Sequence, residues 1–187
     1  GTGKVAVLRH SARTAGTLSD DRVMAMLEAS DGAVWVGTMG GGLNRVDPRT
    51  LRAEVFLHEP GVPTSLAAPG VMSLLEVDKQ VWVGTFGGGI SRYDARTRRF
   101  DTLRPGPEDG LHLSSGRVTA MASDRAGHVW IGTDGGGLNV WDTRTRRLAY
   151  YKSDKKRLDS LSADTIYSIL VDDAGSVWIG TRGGGLD

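Results

Sequence analysis

Apolar residues in this chain come in short runs. None of them carries a 3.6-residue period over ten or more positions. Around the second tryptophan the runs are about Val71 to Val77, Gln80 to Thr85, Gly89 to Asp94 and Arg99 to Leu103. They are rich in β-branched and aromatic residues and bounded by Gly, Asp and Pro, which is the signature of strands. The second run reads Val-Trp-Val, apolar on both faces, so both faces must be covered. The first carries a small residue near its centre and the fourth is the most polar, with Asp101 and Arg104 about it. Strands called A, B, C and D in this order predict a meander running from a crowded edge to a wet one.

The same pattern recurs. "VWVGTMGGGLNRVD" begins at Val34, "VWVGTFGGGISRYD" at Val81, "VWIGTDGGGLNVWD" at Val129 and "VWIGTRGGGLD" at Val177. Trp35, Trp82, Trp130 and Trp178 stand 47, 48 and 48 residues apart. A fixed period in this range marks an array of supersecondary units. Upstream of each tryptophan lies a small residue in strand A, at Ala25, Ser73, Ala120 and Ser168. Downstream lie "DPRT", "DART" and "DTRT", whose aspartates cap C–D turns. The expected units are 22–57, 70–104, 116–152 and a partial 165–187, preceded by a lone D strand at 4–9. The predicted fold is all-β: a β-propeller of about four four-stranded antiparallel blades, a fragment of a larger or oligomer-completed ring.

The triple glycines invite comparison with a phosphate-binding loop. Such a loop stands between a strand and a helix N-terminus, whereas these stand between two strands and lack the Lys-Ser/Thr of a P-loop. Gly40–Gly42, Gly87–Gly89, Gly135–Gly137 and Gly183–Gly185 therefore read as structural, allowing tight turns and close backbone approach.

Composition narrows the function further. The net charge of +1 gives no electrostatic case for nucleic acid. No apolar run reaches the roughly 18 residues of a membrane span. Cysteine is absent, which excludes disulfides and thiolate metal sites. His10, His58, His112 and His128 are far apart and show no metal-ligand spacing. The basic runs at Arg96, Arg144 and Lys155 fall in turns and read as solvated. No cofactor is expected.

"VDDAGSVWIGTRGGGLD" and "SDRAGHVWIGTDGGGLNVWDTRT" resemble the two-component regulator propeller repeat, and the likeness runs over nearly the whole chain. "SDGAVW" and "DKQVW" depart from it by altering or shortening the A–B turn. The resemblance implies the periplasmic or extracytoplasmic sensory part of a bacterial inner-membrane signalling protein, usually seven-bladed. It also implies a membrane-linked histidine kinase or diguanylate cyclase as output, and in several members a response to carbohydrate. "DAGSVW" at Asp173 also resembles the Asp-box turn of sialidase-like propellers, but that family's catalytic residues have no evident counterpart pattern.

In such a propeller the B–C and D–A connections share one face. The B–C loop varies at one position per unit: Met39, Phe86, Asp134 and Arg182. These four are the candidate ligand-binding residues, Phe86 for stacking on a sugar or apolar ring and Asp134 and Arg182 for directional hydrogen bonds. Trp35, Trp82, Trp130 and Trp178 are expected between blades, and Trp141 in the core. No catalytic residues are assigned. A non-catalytic sensor is favoured over a propeller lyase or glycosidase, because catalysis needs unique polar groups converging on one point. A pure interaction scaffold is the third reading. An open array would expose apolar blade faces, so self-association to complete the ring is expected, without nucleic acid or membrane contact.

Overall fold

The computed structural model describes residues 5–187. Among them there are fifteen strands and no helix. Blade 1 comprises β1 (Val23–Glu28), β2 (Val34–Thr38), β3 (Leu43–Asp47) and β4 (Arg52–Phe56). Blade 2 comprises β5 (Val71–Val77), β6 (Gln80–Thr85), β7 (Ile90–Asp94) and β8 (Arg99–Leu103). Blade 3 comprises β9 (Val118–Ser123), β10 (His128–Thr133), β11 (Leu138–Asp142) and β12 (Arg147–Tyr151). Blade 4 has three strands, β13 (Ile166–Val171), β14 (Val177–Thr181) and β15 (Gly185–Leu186). Every sheet is an antiparallel meander in chain order. The chain therefore folds as four blades of a β-propeller.

The innermost strands pack on one another in sequence, β1 on β5, β5 on β9 and β9 on β13. The sequence explains this closeness. The small residue of each strand A faces the glycine of its own "GT": Ala25 with Gly37, Ser73 with Gly84, Ala120 with Gly132, Ser168 with Gly180. A Cβ on Gly37, Gly84 or Gly132 would collide with Val71, Val118 or Ile166, the wholly buried first residue of the next blade's inner strand. The glycine is thus demanded by the neighbouring blade. Between strands B and D the blades meet through larger side chains. Trp35 packs edge-on to Tyr93 of blade 2 at 5.0 Å, and Trp82 to Trp141 of blade 3 at 6.1 Å. Three apolar clusters each draw residues from two successive blades, as both-face burial of strand B requires.

The D–A connections also build the core. Leu18, Leu66 and Leu113 are buried and Leu161 half-buried, each closing a loop eight residues after its partner at His10, His58, Pro105 or Ser153. His10 and His58 fasten their loops by donating Nδ1–H to the Leu18 and Leu66 carbonyls at 2.7 Å; a carbonyl only accepts, which fixes the tautomer. The stretch expected as an outer strand at 4–9 begins outside the described residues. Its remainder pairs with no strand of the four sheets; Leu8 instead packs on the face of blade 1 that looks toward the chain's start.

Candidate functional site

The four variable residues sit at equivalent places on one face. Met39, Phe86, Asp134 and Arg182 each donate a backbone N–H to the residue before strand A of their own blade: Arg22, Gly70, Arg117 and Thr165, at 2.8–3.0 Å. Across the interfaces Gly42 N–H reaches the Pro69 carbonyl and Gly137 N–H the Asp164 carbonyl. The B–C loops are thereby tied to the D–A loops, and both lie on one face.

These bonds settle what the glycine loop does. In blade 2 the amides of Phe86, Gly87, Gly88 and Gly89 donate to Gly70 O, Gly116 O, Thr85 Oγ1 and Gly116 O. Thr85 Oγ1 in turn donates to Gly89 O at 2.8 Å, and Thr38, Thr133 and Thr181 repeat this in the other blades. Gly89 is held at φ +88, where a Cβ would strike the Leu103 carbonyl. A phosphate cradle presents its amides outward; this loop turns them onto protein acceptors, two of the amides sharing the Gly116 carbonyl of the next blade.

The structure brings two of the four candidates together. The Arg117 guanidinium lies 5.8 Å from the centre of the Phe86 ring and 3.4 Å from Asp134 Oδ2. Thr165 Oγ1 donates to Asp134 Oδ1 at 3.2 Å. Phe86 of blade 2, Arg117 and Asp134 of blade 3 and Thr165 of blade 4 thus form one polar and aromatic strip across three blades. Met39 belongs to a separate group, with its Sδ 3.9 Å from Arg22 Nη1. Arg22 is clamped by Asp20 at 2.8 Å, and that bond holds the Asp20 carboxyl down at about 2. Arg182 is exposed beyond the strip. Arg117 and Thr165 escape a reading of the loop alone because they precede strand A, about 17 residues upstream of the loop position they support.

Of the tryptophans, Trp35 and Trp82 are buried between blades, Trp130 is half-buried and Trp178 stands 44% exposed on the outer side of blade 4. Trp141 is buried against Trp82, and the Arg92 guanidinium lies over both rings, 5.6 and 5.9 Å from their centres. Among the described residues no three His, Asp or Glu side chains gather as a metal site. No helix among them is long and apolar enough to cross a membrane.

The two component regulator propeller family matches residues 17–40, 112–135 and 160–183, each running from the end of a D–A loop through strands A and B into the glycine loop. The chain carries the two component regulator propeller repeat. Blade 2, whose A–B turn is cut to Asp78 and Lys79, lies between the matched segments. Among solved structures the chain is similar to the extracellular domain of the one component system BT4673 from B. thetaiotaomicron, at 27% identity and TM-score 0.75 over 95% of this chain and 22% of that one. The extracellular domain of the hybrid two component system BT3049 from the same organism shares the fold, at 21% identity and TM-score 0.78, over 95% of this chain and 23% of that one. The computationally designed Ika4 protein also shares it, at 20% identity and TM-score 0.60, over 99% of this chain and 96% of that one. The chain spans less than a quarter of the length of either B. thetaiotaomicron domain. No curated protein sequence matches it.

Proposed function

We propose that this chain is a non-catalytic, extracytoplasmic sensor segment of a bacterial two-component-type signalling protein. It binds a carbohydrate on the face built by the B–C and D–A loops, and the whole protein relays this to a membrane-linked histidine kinase or diguanylate cyclase. The observation that carries the reading is the regulator-propeller repeat itself, supported by 27% identity to an extracellular domain of a one component system over 95% of the chain. The strip of Phe86, Arg117 and Asp134 supports the choice of face. An aromatic ring, a guanidinium and a carboxylate side by side can meet a sugar's C–H face and its hydroxyls together. Because the strip spans three blades, a ligand seated on it would bear on how the blades sit together.

Thermal unfolding of the chain with a panel of neutral and acidic oligosaccharides tests this. A rise in Tm with one of them, lost in Phe86→Ala and Asp134→Ala, supports carbohydrate sensing. No shift with any sugar contradicts it.

A further inference from the structure

On the face opposite the glycine loops, where the A–B and C–D turns lie, blades 2 and 3 leave a cleft of 460 Å³ between them. Its lining includes Asp78, Trp82, Arg92, Trp141 and Arg146. Trp82 is the most deeply buried of these, at 3% exposure, yet its indole N–H has no acceptor among the described residues. The same position in blades 3 and 4 shows where that N–H points and what it takes. Trp130 donates to Asp124 and Trp178 to Asp172, carboxylates at the entry to the A–B turn. Blade 2 closes this turn with Asp78 and Lys79, both at positive φ, and the tight turn brings no carboxylate to Trp82. The Arg92 Nε is likewise buried without an acceptor. Two donors thus face the cleft unsatisfied, a state that costs free energy until an acceptor arrives.

The charges around the cleft are freed by a change of pairing. Between blades 1 and 2 the equivalent groups are used up: Arg45 pairs with Asp31 of the A–B turn at 2.8 Å, and Arg98 of the next blade's C–D turn pairs with Glu54. The ladders align Arg45 with Arg92 and Glu54 with Asp101. Arg98 and Arg146 both stand at positive φ just before the fourth strand of their blades. In the second interface Arg92 instead pairs with Asp101. Asp78 on blade 2 and Arg146 on blade 3 are left with no ion-pair partner among the described residues. The Arg92 guanidinium lies over both indole rings, so neither offers a free face for stacking a sugar.

We propose that this cleft binds a free amino acid, at a site separate from the carbohydrate face. The carboxylate accepts from the Trp82 indole N–H and the Arg146 guanidinium, taking the place that Asp124 and Asp172 fill from within the chain at the later tryptophans. The ammonium donates to Asp78. A simple anion would meet Asp78 uncompensated, and a simple cation would leave the Trp82 donor unmet; a zwitterion answers both. The volume lies in the range of about 300–1,000 Å³ usual for small-molecule sites.

Titration calorimetry of the chain with the common free amino acids tests this, with the tightest binder followed by amide and indole NMR. Saturable binding is expected, with a shift of the Trp82 indole N–H resonance, assigned by its loss in Trp82→Phe. The 2-hydroxy acid of the same skeleton, which lacks the ammonium, and the amino-acid amide, which lacks the carboxylate, are each expected to bind at least about tenfold more weakly. Arg146→Gln and Asp78→Asn, at exposed turn positions, are each expected to weaken binding at least about tenfold with an unchanged circular dichroism spectrum. No saturable binding by any amino acid, equal binding of the hydroxy acid or the amide, equal binding by either variant, or a Trp82 indole resonance that does not move would each overturn the proposal.

Discussion

The indole N–H of Trp130 donates to the carboxylate of Asp124 across 3.0 Å, tying the centre of strand B to the turn that precedes it. Asp124 also accepts from the amides of Ala126 and His128 and from His128 Nδ1. Burial pushes its carboxyl upward, but these bonds outweigh burial and hold it below the ordinary range. Trp178 repeats the bond with Asp172 at 2.9 Å. Blade 1 has Ala29 at this place, and blade 2 has lost the place with its shortened turn. There the Trp35 and Trp82 indole nitrogens are buried with no partner among the described residues.

Asp124→Ala is therefore expected to cost roughly 1–3 kcal/mol, because the half-buried Trp130 N–H and the His128 amide lose their acceptor. Asp172→Ala is expected to cost under about 1 kcal/mol, because Trp178 is open enough for water to replace the carboxylate. Urea denaturation midpoints of the two variants check the ordering. Equal losses would contradict it.

Asn44 and Asn139 make a second hidden device. Each accepts from the backbone N–H of Ser19 or Ser114 at 2.9 Å and donates to that serine's hydroxyl at 2.8 or 2.7 Å. Both side chains are wholly buried and pin a D–A loop to strand C. Asn139→Ala is expected to destabilise by roughly 1–2 kcal/mol, since it strands the half-buried Ser114 amide and hydroxyl. Ser114 amide exchange is expected to accelerate more than that of strand β9. Unchanged Ser114 protection would show that the loop is held some other way.

Much of this architecture was legible in the sequence, and the reasons are local. Strands A, B and D of blade 2 lie at 71–77, 80–85 and 99–103 because alternation, β-branching and turn residues act over a few positions. The third strand starts at Ile90 rather than Gly89, since Gly89 turns at positive φ. The rest depends on partners far along the chain. Leu66 and Leu113 look like loop residues until the neighbouring blade covers them. Arg117 looks like a strand-leading charge until Phe86 and Asp134 are placed on either side. Residues 5–9 have the composition of a strand, but a strand needs a partner edge, and they join none of the four described sheets.

The glycine loop gives a paired test. Gly89→Ala places a Cβ against the Leu103 carbonyl at a positive φ, and is expected to cost more than about 3 kcal/mol or prevent folding. Gly87→Ala, also at positive φ but with nothing within 4 Å, is expected to cost roughly 1–2 kcal/mol of backbone strain. Thermal midpoints of the two variants measure the difference; a reversed order would contradict the assignment of steric demand to the third glycine.

Acid sensitivity follows from the turn-capping aspartates. Asp20 is depressed from 3.8 to about 2, first by its bond to Arg22. Asp94 is lowered first by the Thr97 hydroxyl, Asp142 by the Thr145 amide and Asp172 by the Trp178 indole. Folded values below unfolded ones mean stability present above about pH 4 and lost as pH falls toward 2. Denaturant midpoints between pH 6 and 2 are expected to fall mainly below pH 4. A midpoint flat down to pH 2 would contradict this.

The central claim, a sugar sensed on the B–C loop face, is tested most directly by amide chemical-shift mapping of the isotope-labelled chain during oligosaccharide titration. The account predicts saturable shifts centred on Phe86, Arg117 and Asp134 and sparing the C–D turns at Asp47, Asp94 and Asp142. Saturable shifts confined to those turns, or none with any sugar, would contradict it.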